Sequence, residues 1–85
     1  MDYTAKLNLQ RLALNNDQLY NEYLQFVREN IAKVATKHYE LMQARIIAKT
    51  FIKDKKLPEN LIYRLRNIAI CYYRITYYQW KSEKK

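Results

Sequence analysis

The sequence contains no glycine, one proline and one cysteine in 85 residues. Without glycine, tight hairpin turns that need positive φ at adjacent positions are hard to build, so antiparallel sheet is disfavoured. The same absence excludes the glycine-rich loops of mononucleotide and dinucleotide sites. A lone cysteine cannot form an internal disulfide, and one Cys with one His cannot complete a structural zinc site. No apolar run approaches membrane-spanning length. The N-terminus, Met1-Asp2-Tyr3-Thr4-Ala5-Lys6, shows no basic stretch leading into an apolar one. The expectation from these absences is a soluble, cytoplasmic all-α domain with no cofactor and no metal. At this length such a domain is marginal unless its helices pack closely or a partner covers them.

What is abundant is positive charge, and its placement is uneven. Lys and Arg number 16 against 8 Asp and Glu, for a net charge of +8. Residues 1–43 carry five basic and five acidic side chains, whereas residues 44–85 carry eleven and three. A surplus confined to one half reads as an electrostatic footprint for a polyanion or an acidic partner rather than as a solubility device. The expected organisation is a single helical domain over 1–85. A neutral half at about 1–43 is expected to supply most of the core, and a basic, aromatic-rich half at about 44–85 most of the contacts.

Punctuation divides the chain into helices. The first is expected from about Tyr3 to Leu14, with Asp2 at its N-cap. Asn15-Asn16-Asp17 is a turn signal, because these side chains bond local backbone and tolerate left-handed geometry; Asp17 is the expected cap of the next helix. The following stretch, Asp17 to about Lys56, lacks both Gly and Pro and would span about 60 Å as one helix. Its apolar line changes face. Tyr20, Leu24, Val27, Ile31, Val34, His38 and Leu41 follow one stripe, and Ala44, Ile47, Ala48 and Phe51 follow another. Either the helix breaks near Thr36–Glu40 or its halves pack on different surfaces; one long or kinked central helix is the expectation. Pro58 then suits the start of a last helix reaching about Trp80, with Leu61, Leu65, Ile68, Tyr72, Ile75 and Thr76 inward and Lys81–Lys85 frayed. The expected fold is an all-α bundle of three to four helices.

Two constellations carry the functional expectation. Arg45, Lys49, Lys53 and Lys56 recur at spacings of four, four and three, which aligns them on one helix face where they can meet successive phosphates. Lys55, Arg64, Arg66, Arg74 and Lys81 are the further candidate nucleic-acid contacts. The last helix also interleaves basic and aromatic residues, a composition suited both to base stacking and to protein interfaces. Ile62, Tyr73, Tyr77, Tyr78 and Trp80 lie beside its core face and are the candidate docking residues for a larger protein. The ordinary alternatives are a solvated cationic face and aromatics that pack on their own chain.

Catalytic signals are poor. His38 continues an apolar stripe and reads as a core or rim residue. Arg64 and Arg74 near Cys71 on the helix would lower its pKa, but no second Cys is present to resolve it, so a structural or incidental thiol is the expectation. The run His38-Tyr39-Glu40, Ala44 to Lys49 and Leu57 to Leu61 resembles in part the helix before the zinc ribbon of ribonuclease P protein subunits. The paired cysteines of that ribbon are absent, and the comparison goes no further. Small helical chorismate mutases also place Arg, Lys and Gln in a bundle, and Arg28, Arg45 and Gln79 are the residues here that resemble that arrangement. The principal expectation is a non-enzymatic accessory subunit of a polymerase, nuclease or effector complex, contacting DNA or RNA backbone and a larger protein, with homo-oligomerisation left open. Its alternatives are an adaptor or inhibitor bound to an acidic protein surface and, more distantly, a small enzyme of the mutase type.

Overall fold

Four helices account for most of the chain in the computed structural model, which describes residues 3–31 and 41–83, with side chains described for 3–30 and 43–76. They are α1 (Tyr3–Leu14), α2 (Asp17–Ile31), α3 (Leu41–Lys55) and α4 (Ile62–Glu83), with a single 3-10 turn at Glu59–Leu61 leading into α4. No strand occurs among the described residues. The last helix is the longest at 22 residues and continues past Trp80 to Glu83.

Both described turns solve the problem of turning a chain without glycine. At the first, Asn15 takes the left-handed conformation at φ 53°. Asn16, not Asp17, caps α2: its side-chain oxygen accepts from the Leu19 amide at 3.1 Å, which serves one of the free amides of the first turn. Asp17 is instead taken by Arg11, whose guanidinium donates to both carboxylate oxygens at 3.0 and 3.1 Å. That hydrogen bond, with the attraction between the charges, holds the Asp17 carboxyl below its ordinary range. At the second turn Lys56 is left-handed at φ 55°. The Leu57 amide reaches back to Ile52 O at 3.0 Å and the Lys56 amide to Lys53 O at 3.4 Å. These are the paired bonds of a Schellman ending, usually built on glycine, with Pro58 preventing the helix from continuing.

The central stretch is not one helix. Glu22 lies 4.0 Å from Lys55, and Phe51 packs on Tyr23 and Phe26 at ring separations of 4.9 and 5.4 Å. One straight helix would hold residues 22 and 55 about 50 Å apart. α2 and α3 are therefore antiparallel neighbours that share the apolar stripes read above on two faces. The expected break at Thr36–Glu40, and with it Val34 and His38, lies outside the described residues, as does the Asp2 cap.

Side-chain bridges fix the remaining directions. Gln10 accepts from Arg64 at 3.0 Å and the Tyr3 hydroxyl accepts from Arg74 at 3.0 Å, so α1 runs antiparallel to α4. Tyr23 reaches Leu65, and Arg28 donates to the Tyr72 hydroxyl at 2.8 Å, so α2 runs parallel to α4. The result is an up-down-up-down bundle in which α4 touches all three other helices.

Among the described residues, most of the buried core is drawn from the basic half. Tyr20, Tyr23 and Val27 are the neutral half's buried contribution, while Ala44, Ile47, Ala48, Phe51, Ile52, Leu65, Ile68, Ala69, Cys71 and Tyr73 come from the basic half. Because α4 is contacted from three sides, its buried arc is wider than one stripe. Tyr73, expected beside the core face, is 8% exposed and belongs to the core cluster. No described residue of α1 is fully buried; it is held by half-buried Leu7 and Leu14 against the core and by its polar bridges to α4.

Tyr23 joins three helices. It is fully buried, its ring meets Phe51 edge-on, and its hydroxyl donates to Leu65 O at 2.8 Å. Tyr23→Phe removes that hydrogen bond while keeping the ring and is expected to cost about 1 kcal/mol. Tyr23→Ala also leaves a cavity and is expected to cost about 3–5 kcal/mol. Urea unfolding of both variants measures the two; an unchanged midpoint in Tyr23→Phe would show that the buried hydroxyl contributes nothing.

Candidate nucleic-acid interface

Helix α3 turns most of its small and apolar side chains inward, Ile46 excepted, and its cations outward. Ala44, Ile47, Ala48, Phe51 and Ile52 are buried, while Arg45, Lys49, Lys53 and Lys56 are all exposed. The two alanines of α3 and Ala69 of α4 let backbones approach closely, and the long cationic stems then extend from the α3 surface. Among the described residues none of the four stripe cations makes an ion pair; the two pairs there are Arg11 with Asp17 and Lys55 with Glu22. Arg45, Lys49 and Lys53 are spaced by about 6 Å, one helical turn, whereas Lys56, expected on the same helix face, follows in the left-handed turn that ends α3.

Three of the four surround a groove. Lys49, Lys53 and Lys56 line a shallow depression of about 390 Å3 whose apolar floor is Ile52, Leu57 and Ile62, with Glu59 also on the lining. The floor exists because the Schellman ending folds Leu57 back beside Ile52 and the 3-10 turn delivers Ile62 opposite them. Ile62, expected as a docking residue, is half-buried and packs against the core.

The other candidate cations are used differently. Lys55 is exposed but faces Glu22 across the α2–α3 boundary. Arg64 is half-buried and donates to Gln10. Arg74 is exposed, donates to the Tyr3 hydroxyl and lies over the Tyr3 ring at 5.1 Å. Arg66 is half-buried with its guanidinium over Tyr63 at 5.0 Å. The structure thus separates the cations that fasten α1 to α4 from those left on the α3 surface. Lys81, Tyr77, Tyr78 and Trp80 lie on α4 among residues whose side chains are not described.

Acidic groups lie on another face. Glu22, Glu29 and Asp54 line a groove of about 490 Å3 between α2 and α3, together with Phe26, Phe51 and Lys55. Helix α3 divides the two surfaces, with three carboxylates and Lys55 toward α2 and the unpaired cations, with Glu59, toward α4. This polarity follows from register, because Asp54 and Lys53 are adjacent in sequence and point about 100° apart.

Tyr63 was missed by sequence reasoning. It is 66% exposed, whereas Tyr3, Tyr20, Tyr23, Tyr72 and Tyr73 are buried or half-buried. The available signal was its position just after the Pro58 turn, three residues before an arginine. Arg28 and Arg45 are both exposed and do not converge in an interior pocket, and Gln79 lies outside the described side chains. Among the described residues no group of three His, Cys, Asp or Glu could hold a metal, and no helix is long and apolar enough to cross a membrane.

Cys71 is buried beside the α1–α4 contact, near Lys6 and Arg74. Burial pushes its thiol up, and this outweighs the downward pull of the two cations. A thiolate is therefore not favoured at Cys71. Cys71 is expected to react with a thiol-specific disulfide reagent at least tenfold more slowly in the native protein than in urea. Equal rates would show that the thiol is freely accessible. Comparison of the chain with protein-family models, curated proteins and solved structures finds no match.

Proposed function

We propose that the protein is a small accessory module that binds the backbone of a nucleic acid through helix α3. The observation that carries this reading is the exposed, unpaired stripe Arg45, Lys49, Lys53 and Lys56. Other arginines are engaged within the chain by Asp17, Gln10 or tyrosines, and Lys55 faces a glutamate. Four cations held close together, none of them in an ion pair among the described residues and with Glu59 the one carboxylate on their groove, repel one another, and a row of phosphates relieves that repulsion while releasing condensed counterions. Such contacts recognise charge and spacing, so binding is salt-sensitive and largely blind to sequence.

In this reading Arg64, Arg66, Arg74 and Lys81 add positive potential along α4 rather than acting as the principal contacts. Docking on a larger protein belongs to the aromatic end of α4, with Tyr77, Tyr78 and Trp80 as its residues. Tyr73 leaves that set because its ring is spent inside the bundle.

The double reversal Lys49→Glu and Lys53→Glu tests the proposal by fluorescence anisotropy across a salt series. Loss of two phosphate contacts should reduce the slope of log K against log salt by roughly 1.4 to 1.8. Affinity at low salt should fall at least tenfold, with the helical circular dichroism spectrum unchanged. An unchanged slope would place the stripe in solvent. No binding of the unaltered protein at low salt would turn the basic face toward an acidic protein surface instead.

A further inference from the structure

Tyr63 occupies an unusual position for an aromatic residue in so small a bundle. It sits in the first turn of α4, on the side of the helix opposite Leu65 and Ile68, and two-thirds of its surface is open at 66% exposure. Its orientation is nevertheless constrained. The Arg66 guanidinium lies 5.0 Å from the ring centroid, an attraction between a cation and an aromatic face that covers one side of the ring and leaves the other outward. Arg66 is itself anchored by burial of its stem, and its Nε is buried with no acceptor among the described residues.

This pair adjoins the basic groove. Ile62, next to Tyr63 in the chain, forms part of the groove floor between Lys49, Lys53 and Lys56. Arg66 follows Ile62 by one turn on the same side of α4. Across this surface the order is therefore cationic row, apolar floor, Arg66 and the open Tyr63 ring.

We propose that this face is a single-strand site, in which Lys49, Lys53 and Lys56 follow the phosphates and Tyr63 stacks one base. The inference rests on the nucleic-acid reading above and narrows it. A duplex keeps its base faces stacked inside and has nothing to offer an isolated tyrosine ring. A single strand can turn a base outward while its backbone stays in the cationic row. Stacking on an aromatic side chain tolerates any base, because every base has a π face. Arg66 acts as a positioning residue: it holds the ring and brings a further positive charge close to the strand.

The test compares a labelled oligothymidylate with a duplex of equal length, by anisotropy, for the unaltered protein, Tyr63→Ala, Tyr63→Phe and the Lys49→Glu/Lys53→Glu pair. The unaltered protein should bind the single strand more tightly than the duplex. Tyr63→Ala should lose on the order of tenfold in single-strand affinity without changing the salt slope, since no phosphate contact is removed. Tyr63→Phe should restore most of that loss. Because Tyr63 is exposed, the variants are expected to fold, and circular dichroism checks this. Full single-strand affinity in Tyr63→Ala, alongside loss in the lysine pair, would overturn the stacking site and leave the backbone reading intact. Preference for duplex would likewise overturn it. Absence of binding to either nucleic acid by the unaltered protein would remove both.

Discussion

The buried phenol of Tyr23 is the interaction on which the arrangement of the bundle depends. Its hydroxyl is delivered into the core by α2 and finds its acceptor on the backbone of α4, 42 residues later. A donor in that position would be costly if left unpaired, so the hydrogen bond selects one depth and one rotation of α2 against α4. The same ring contacts Phe51 and thereby sets the level of α3. Val27, Ile68 and Leu65 complete a fully buried layer around it. A small bundle whose one cysteine allows no internal disulfide needs such a specific contact, because apolar area alone permits helices to slide and rotate.

Once α3 is placed, the charge pattern follows. Its inner face is restricted to alanine, isoleucine and phenylalanine, so every cation of the helix must emerge on the remaining arc. Toward α2 that arc meets carboxylates, and toward α4 it meets the open end formed by the Pro58 turn. The stripe makes no ion pair among the described residues, although Glu59 shares its groove; Glu22, Glu29 and Asp54 lie across α3. Arginines on α4 have a different fate, since α1 lies over that helix and supplies Gln10 and Tyr3 as partners. Identical residue types therefore serve as internal fasteners in one place and as a candidate ligand surface in another.

Much of this was legible in the chain. The punctuation at Asn15-Asn16-Asp17 and at Pro58 marked two helix boundaries, because their backbone constraints are local. The inward set Ala44, Ile47, Ala48 and Phe51 was legible from its spacing, and the stripe Arg45, Lys49, Lys53 and Lys56 from the same periodicity seen on the other side. What depended on distant partners was not legible. Tyr23 did not stand out in the sequence, since its acceptor is a backbone carbonyl of another helix. Tyr73 read as a flank residue, because nothing local shows that α4 is contacted from three sides. The basic half supplies most of the described core for the same reason: its small residues are inconspicuous in composition but decisive where helices cross. Tyr63 was overlooked because exposure of a ring at a helix start depends on which neighbours fail to cover it.

The division of the surface by α3 is the central claim, and a titration followed by amide chemical shifts tests it most directly. Labelled protein is titrated with a short single strand at low salt, and shifts are mapped onto the bundle. The account predicts that shifts cluster on residues 45–56 and on Tyr63 to Ile70, while the amides of Asn21, Gln25 and Glu29 on the acidic side of α2 stay still. Shifts concentrated on α2, or spread evenly over all four helices, would contradict it.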